Sequence, residues 1–261
     1  PGHADYAGQV KYHGYNDYRG GGHFSGRLTA PLVFAGAIAS QILAERGIMI
    51  GAHIKSIAHT GDRELAPSDF SASKLAELRQ QYLPTLDSKK NEKMQENILR
   101  AKENGDSVGG VIEAFVLGVP AGIGENFFDS LESQLAAMLF SIPAVKGVEF
   151  GAGYAITKML GSKANDEPYY ENEQVKFGTN HNGGIIGGIT TGAPLVFSVA
   201  VKPTPSIYRR QNTIDVDKKQ NTQLCIVGRH DPCIVPRAVP VVEAAAAWVI
   251  LDNLIQKGNS L

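Results

Sequence analysis

Apolar residues along the chain follow two different spacings, which together predict a mixture of helices and strands. The stretches 29–46, 127–140 and 240–256 are apolar at helical spacing, and the first of them is apolar on nearly every side. A helix of that kind is expected to be buried centrally. Residues 48–59 instead alternate between apolar and polar, which is typical of a strand with one buried face. His53 and His59 fall on the other face and are expected to be exposed or structural.

The remaining pattern adds further elements without a regular strand–helix repeat. Two polar stretches with helical character predict surface helices over residues 75–82 and 89–104. Shorter apolar runs predict strands over residues 107–117, 144–149, 154–160 and 194–201. The polar segments 1–29, 161–182 and 209–223 are expected to be irregular. Apolar helices interleaved with alternating strands favour an α+β fold over a doubly wound parallel sheet.

Composition narrows the class of protein. The 261 residues are 43% hydrophobic and 20% charged, and the formal net charge of −1 gives no bulk attraction to nucleic acid or to an anionic membrane. We expect no apolar run of membrane-spanning length, and no cleavable signal is visible, so the cytoplasm is the expected compartment. Cys225 and Cys233 are too few for a disulfide scaffold or a four-ligand metal site, and no metal is expected.

Glycine falls in clusters that favour close approach of the backbone to a ligand or to another element. Residues 19–27 place three glycines beside a serine between two arginines, which suits a backbone nest for an anion. Residues 182–192 carry two glycine pairs, which suit packing against a planar ring or another chain. Residues 202–206 combine a lysine and two hydroxyls with two prolines. That segment is either a phosphate or ring-edge contact or a stiff linker.

The stretch 228–233, with sequence GRHDPC, concentrates chemically able side chains before the last helix. Asp231 and Pro232 form a turn signal, because proline fixes its own φ and disfavours a helical conformation in the residue before it. Arg229, His230 and Asp231 are therefore expected on a loop between rigid elements, where binding and catalytic groups tend to lie. An ordinary turn with solvated polar residues is the alternative.

Seven stretches in one order resemble the chorismate synthase family. They are PGHAD at 1–5, RGGGHFSGR at 19–27, GVPAGIGE at 118–125, SIPAVKGVEFG at 141–151, NGGIIGGITTG at 182–192, KPTPS at 202–206, and GRHDPC at 228–233 followed by PRAVP at 236–240. Any one of them is a weak signal. Their number and order across nearly the whole chain make the resemblance specific.

The resemblance implies an activity and an assembly. The family converts 5-enolpyruvylshikimate 3-phosphate to chorismate by an anti-1,4 elimination of phosphate. It needs reduced FMN although the reaction has no net redox change, and NADPH is a candidate reductant. The implied fold is a β-α-β sandwich with buried helices between two antiparallel sheets. Residues 1–261 would then form a single catalytic domain of a cytoplasmic homotetramer that binds its small-molecule substrate and neither nucleic acid nor membrane.

The resemblance also implies the site residues. The implied catalytic residues are His3, near the N1 edge of the flavin, and Asp231, near its N5 edge. The N5 atom of the flavin would take the substrate proton, and Asp231 would tune that transfer. The implied cofactor-binding residues are His23, Phe24, Ser25, Pro143, Ala144, Gly187, Lys202, Pro203, Thr204, Pro205, Ser206 and Arg229. Arg27, Arg229 and Arg237 are the implied substrate-binding residues. Other members carry arginine where this chain has His23, so a charge contact there is expected to be weaker.

One departure from the family sets an expectation about activity. The N-terminal region that carries the family's first catalytic histidine and several substrate-binding arginines has no counterpart before Pro1. The chain is therefore interpreted as a fragment. Loss of a general acid costs roughly 10²–10⁴-fold in rate, so the chain alone is expected to be weak or inactive. The alternatives are a non-catalytic flavin- or phosphate-binding module and a structural assembly module.

Overall fold

The computed structural model describes residues 1–228 and 230–256. Its α-helices within these residues are α1 (Asp5–Lys11), α2 (Ala30–Ala44), α3 (Ala72–Gln80), α4 (Ser88–Glu103), α5 (Leu131–Phe140), α6 (Gly161–Ala164) and α7 (Val235–Gln256). Its strands are β1 (Met49–Ile57), β2 (Thr60–Gly61), β3 (Gly110–Leu117), β4 (Val145–Phe150), β5 (Pro168–Glu171), β6 (Gln174–Phe177), β7 (Ile185–Ile186), β8 (Ile189–Thr190), β9 (Leu195–Val201), β10 (Gln211–Asp215) and β11 (Gln220–Leu224).

A five-stranded antiparallel sheet in the order β2-β1-β3-β9-β4 forms the centre of the fold. Both faces of β1 and β3 are covered, although alternation along β1 predicts only one buried face. On one face Ile112 and Ala114 join the main core together with α7. On the other face Phe115 packs with Leu75 and Leu78 of α3. Strands covered on both sides need not show a polar face, which is why the alternation underestimates their burial.

The helix α7 is the core helix, and α2 packs closely against it. Residues 244–247 of α7 are all buried. A Cβ added to Gly36 of α2 would lie 2.4 Å from Cβ of Ala244, so the two helix backbones approach as closely as their small residues allow. The opposite side of α2 is open, since Phe34 is 72% exposed and Ile38 is 47% exposed. The sequence predicts burial all round, whereas the described residues cover α2 on one side.

Several element boundaries differ from the sequence expectation. The last helix begins at Val235 rather than at residue 240, and Pro240 lies inside it. The prediction of a strand over residues 154–160 is wrong, because Gly153–Lys158 forms a 3₁₀ turn instead. Gly151 and Gly153 have φ of 55° and 50°, which turn the chain away from an extended course.

The polar segments are more regular than predicted. Residues 5–11 form α1, and each of the other two segments expected to be irregular contains a two-stranded ribbon: β5 with β6, and β10 with β11. Both ribbons are largely exposed on both faces. A strand that buries neither face needs no alternation of apolar and polar residues. The sequence therefore contains no periodic pattern from which these ribbons could be predicted.

Two helical stretches, Arg19–Ala44 and Val235–Gln256, are long and apolar enough to cross a membrane by length and composition. The expectation that no stretch reaches that length is therefore wrong. Backbone angles at Gly20, Gly21 and Gly22 are not helical, so the first stretch is broken before α2 begins. The second stretch is α7, and a core helix passes the same test because burial in a protein also selects apolar residues.

The α+β class predicted from the sequence is confirmed. Within the described residues, α2, α5 and α7 lie together with one face of a single five-stranded sheet, and the other strands form two-stranded ribbons. The end of this sheet where β9 finishes and β4 begins lies beside the start of α7 and carries the site described next.

Candidate functional site

A cleft of about 910 Å³ lies where β9 ends and α7 begins. Segments that are far apart in sequence line it: residues 2–5, 18–29, 142–144, 202–206, 226–228 and 230–241. A volume of this size falls within the roughly 300–1,000 Å³ typical of small-molecule and cofactor sites. The cleft is therefore the candidate site of this chain.

Most of the site residues predicted from the sequence lie in this one cleft. They are His3, Phe24, Ser25, Arg27, Pro143, Ala144, Lys202, Thr204, Pro205, Ser206, Asp231 and Arg237. His23, Pro203 and Gly187 are not among its lining residues in the part of the chain that the structure describes. Arg229, expected to contact both cofactor and substrate, lies outside the described residues.

The predicted residues outside the cleft have other surroundings. The ring of His23 lies 6.1 Å from the ring of Tyr12. Gly187 is exposed in the turn between β7 and β8 with φ of 64°. Its neighbour Gly188 packs on its own chain, since a Cβ there would lie 2.2 Å from the carbonyl oxygen of Glu125. The glycine pairs of this segment thus serve tight turns and backbone contacts within the chain.

The triple-glycine loop shapes one wall of the cleft. Gly20, Gly21 and Gly22 all have positive φ, and a Cβ on Gly22 would lie 2.3 Å from the carbonyl oxygen of Asp17. Only glycine fits such a course. The loop turns the chain so that Ser25 follows in extended conformation, where its Oγ accepts a hydrogen bond from the backbone N–H of Arg27 at 3.3 Å.

A short loop behind the cleft ties two of its walls together. We call residues 105–108, between α4 and β3, the brace loop. Its Ser107 hydroxyl donates to the carbonyl of Thr204 at 2.6 Å, and its Gly105 carbonyl accepts from the N–H of Tyr208 at 3.0 Å. The N–H of Val108 donates to the carbonyl of Pro232 at 2.8 Å. These bonds fix the 202–208 segment relative to the loop that carries Asp231.

His3 is held in an unusual conformation beside a cation. Its φ is 20°, and its ring stands edge-on to Phe24 with 6.5 Å between centroids. Partial burial lowers the pKa of His3, the positive charge of Lys202 lowers it further, and Asp5 opposes both effects. The neutral imidazole is therefore favoured, which leaves a ring nitrogen able to accept a proton or a hydrogen bond.

The charged residues of the cleft favour an anion. Arg237 Nη1 lies 3.1 Å from Asp231 Oδ2, and Asp5 accepts a hydrogen bond from the backbone N–H of Gly2 at 2.9 Å. Both carboxylates of the lining are thus engaged. Arg27 and Lys202 add two further positive charges to the lining. Arginine and lysine in a partly enclosed site are suited to phosphate and carboxylate groups.

Apolar side chains, of which only Phe24 is a predicted site residue, form what we call the apolar wall of the cleft. Its members, all lining residues, are Phe24, Ile142, Ile226, Val227, Ile234, Ala238 and Val241. They belong to separate segments, so no local pattern in the sequence marks them as one surface. Apolar lining residues beside cationic ones are suited to a planar ring that carries an anionic group.

Two buried polar atoms in the cleft lining have no hydrogen-bond partner among the described residues. They are Thr204 Oγ1 and His230 Nε2. Thr204 is a predicted cofactor contact, but His230 is not among the predicted site residues. The only signal for His230 is its place in the stretch 228–233. Buried polar groups are nearly always hydrogen-bonded. We therefore expect a ligand or a water molecule to supply the hydrogen-bond partner of both atoms.

Comparison with known proteins decides the family. A family model described as chorismate synthase matches residues 1–255. A protein named chorismate synthase from Thermococcus gammatolerans is 48% identical over 257 residues, covering 98% of this chain and 70% of that protein. The chain belongs to the chorismate synthase family. The resemblance stated from its motifs is confirmed.

Other members of the family agree with this assignment. The protein named chorismate synthase from Methanocaldococcus jannaschii is 43% identical over 267 residues, with 99% of this chain and 70% of that protein covered. A crystal structure of a chorismate synthase superposes with a TM-score of 0.79 at 32% identity, and the match covers 97% of this chain and 70% of the other. Membership of this family supports an enzymatic, lyase role in aromatic amino acid biosynthesis.

Proposed function

We propose that this chain carries the active site for the anti-1,4 elimination of phosphate from 5-enolpyruvylshikimate 3-phosphate to give chorismate, with reduced FMN and no net redox change. One observation carries the proposal beyond family membership. His3 and Asp231, at opposite ends of the sequence, line one cleft together with Arg27 and Lys202. Proton-handling groups and cations in one enclosed site are what loss of phosphate from an anionic substrate needs.

The residues of the cleft fit FMN. Its apolar wall suits the flavin ring, and the positive charges of Arg27 and Lys202 suit a phosphate. The unpaired hydroxyl of Thr204 offers a hydrogen bond on the segment 202–206 predicted to contact the cofactor. Reduced FMN, when bound, supplies electron density to the substrate and a basic nitrogen for its proton.

Each charged or titratable side chain of the cleft would then have a separate role in the reaction. His3, favoured in its neutral form, holds a proton or a hydrogen bond at one edge of the bound ring. Asp231, held by Arg237 at 3.1 Å, presents a carboxylate of fixed orientation to the reacting groups. Arg27 and Lys202 bind the anionic groups of the substrate and stabilise the departing phosphate.

The proposal also covers the reductant of the flavin, the compartment and the oligomeric state. We propose NADPH as the reductant of FMN, the cytoplasm as the compartment and a homotetramer as the assembly, in keeping with the family resemblance. The open apolar side of α2, with Phe34 and Ile38 exposed, is consistent with a surface that further protein covers.

Phosphate release tests the proposed function. The protein is mixed anaerobically with reduced FMN and 5-enolpyruvylshikimate 3-phosphate, and inorganic phosphate is measured. We expect His3→Ala and Asp231→Asn each to lower the rate by about 10²–10⁴-fold. His59→Ala is the matched control, because His59 is exposed at the end of β1 and does not line the cleft.

Two outcomes would contradict the proposal. Phosphate release at the unchanged rate in both variants would remove His3 and Asp231 from the reaction. Quenching of the fluorescence of oxidised FMN, with no phosphate release even at the slow rate expected of the chain alone, would instead favour a binding module that does no chemistry.

A further inference from the structure

We propose that His230 is a ligand-binding residue whose Nε2 donates a hydrogen bond to an oxygen of the molecule in the cleft. The inference rests on the proposed function, since it concerns the same cleft. It adds a contact that the resemblance does not assign, next to Asp231 in the chain.

The first support is the unmet hydrogen-bonding capacity of the ring. Nε2 of His230 is buried and has no partner among the described residues, although His230 lines the cleft. Leaving a buried polar atom unpaired is costly. A ligand oxygen that enters the cleft can remove that cost, whereas rearrangement of the chain would have to break other contacts.

The second support is that the ring is held in place. It packs at 5.6 Å from the ring of Tyr208, and a Cβ added to Gly228 would lie 3.0 Å from ring atoms of His230. The brace loop fixes Tyr208 and also the chain two residues after His230. The brace loop holds Tyr208 through Gly105 and holds Pro232 through Val108. A ring confined in this way presents Nε2 at a defined point of the cleft.

The charges of the cleft indicate what Nε2 meets. Arg27 and Lys202 favour a ligand rich in anionic oxygens, which accept hydrogen bonds. The matching role for Nε2 is that of a donor. Thr204 Oγ1 is the other unpaired buried atom of the lining, so the ligand is expected to meet hydrogen-bonding groups from both segments. Such oxygens occur on FMN and on 5-enolpyruvylshikimate 3-phosphate.

Binding measurements on three variants test the proposal. We expect His230→Ala to weaken binding of FMN or of 5-enolpyruvylshikimate 3-phosphate by about tenfold, the loss of one hydrogen bond to a charged or polar oxygen. His230→Gln should recover most of the affinity, because its amide nitrogen can reach about the position of Nε2. His59→Ala should bind as the unchanged chain does. FMN is followed by fluorescence quenching and the substrate by calorimetry.

The pattern of losses identifies the source of the oxygen. Weaker FMN binding alone assigns the contact to the flavin, and weaker riboflavin binding as well assigns it to the part of the flavin outside the phosphate. Weaker substrate binding alone assigns it to 5-enolpyruvylshikimate 3-phosphate. Unchanged affinity of His230→Ala for all three molecules overturns the proposal.

A spectroscopic readout separates this proposal from the proposed function. The imidazole resonances of His230 and His59 are followed by NMR as each ligand is added, and only those of His230 should move. If His230 responds but phosphate release is absent, the proposed reaction fails and the binding role stands. If phosphate release continues while the His230 resonances and affinities do not change, the binding role fails alone.

Discussion

The charge of Lys202 is expected to tune the protonation of His3. Burial lowers the pKa of His3 first and the Lys202 ammonium lowers it further, so removing the ammonium should raise that pKa. We expect Lys202→Met to shift the midpoint of the His3 imidazole titration, followed by NMR, to higher pH. Lys176→Met, in the exposed ribbon of β5 and β6, should leave the midpoint unchanged. A midpoint that moves equally in both variants would show that net charge, and not proximity, sets the pKa.

Single residues show what a sequence can and cannot reveal. The types of His3 and Asp231, and the motifs around them, are visible in the sequence. Their meeting in one cleft follows from the resemblance and not from spacing, because more than two hundred positions separate them. The unpaired nitrogen of His230 is invisible at that level, since burial and partners exist only once Tyr208 and Gly228 are in place.

Across the sheet, a row of buried polar side chains joins three strands on the face away from α7. His53 of β1 lies 3.0 Å from Glu113 of β3 and 3.3 Å from Asp62, and Lys55 and Ser198 also contact Glu113. Burial opposes protonation of the His53 ring, but hydrogen bonds to Asp62 and Glu113 outweigh it and raise the pKa of His53. Burial likewise opposes ionisation of Glu113, but its bonds to His53 and Lys55 outweigh that effect and lower its pKa.

The raised pKa of His53 has a consequence for stability with a definite sign. Its contribution is fully present below the ordinary pKa of 6.5 and is lost as the pH rises through the folded-state pKa. We expect His53→Gln to lower the free energy of unfolding by about 3 kcal/mol near pH 6, because it leaves buried carboxylates without their cation. Urea unfolding measures the change.

The control for this prediction is another histidine of the same hairpin. His59→Gln should change the free energy of unfolding by less than about 0.5 kcal/mol, since His59 is exposed. Equal stability of His53→Gln and the unchanged chain at that pH would mean that His53 is neutral in the folded state.

The outer edge of β1 is closed by groups that are not strands. Arg79 donates to the carbonyl of Ile50 at 3.0 Å, the N–H of Ile54 donates to the carbonyl of Pro84 at 2.7 Å, and the carboxyl of Glu243 accepts from the N–H of Ala52. An edge strand with free N–H and carbonyl groups is a site for unwanted pairing. In this chain the edge of β1 is occupied by side chains of α3 and α7 and by the loop that follows α3.

Burial raises the pKa of Glu243 to about 7, with Arg79 and the N–H of Ala52 acting in the opposite direction. The stability that its protonated form contributes is present below the ordinary pKa of 4.5 and is lost as the pH rises through about 7. We expect Glu243→Gln, which keeps an acceptor for Ala52, to raise the free energy of unfolding by about 1–3 kcal/mol near pH 8 and to change it little near pH 5.

Comparing single and double variants separates the two titrations. Glu243→Gln should flatten the fall in stability between about pH 4.5 and 7, whereas His53→Gln should flatten the fall that begins above about pH 6.5, and the double variant should flatten both. A gain for Glu243→Gln that is the same near pH 5 and near pH 8 would contradict a role for ionisation.

The elements also differ in how far the sequence predicts them. The helices α4 and α5 and the strands β3 and β9 fall close to their predicted positions, because each buries an apolar face that leaves a periodic pattern. The ribbons of β5 with β6 and of β10 with β11 bury neither face and are missed. The burial of His53 and its pairing with Glu113 are not predictable from the sequence either. A histidine in an alternating strand has the same sequence pattern whether its ring is exposed to water or paired with a buried carboxylate.

At the scale of the whole molecule, the cleft depends on contacts of residues 1–2 with β10 and with the loop before α7. The hydroxyl of Thr213 in β10 donates to the carbonyl of Pro1 at 2.6 Å, and a Cβ on Gly2 would lie 2.9 Å from Ile226. These contacts bring residues 2–5 beside the loop that precedes α7. A ligand that contacts both walls of the cleft should add to what these contacts contribute to holding the walls together.

Hydrogen exchange with and without FMN measures this contribution. A ligand bound in the cleft contacts the 18–29 and 202–206 segments at once, so opening either wall must first release it. We expect saturating FMN to slow amide exchange about tenfold or more in residues 18–29, and to leave the exposed ribbon of β5 and β6 unchanged. Asp231→Asn should keep most of this protection if Asp231 serves the reaction more than binding. Uniform slowing across the molecule would instead mean that FMN stabilises the fold globally, and unchanged exchange in residues 18–29 would place the ligand outside this cleft.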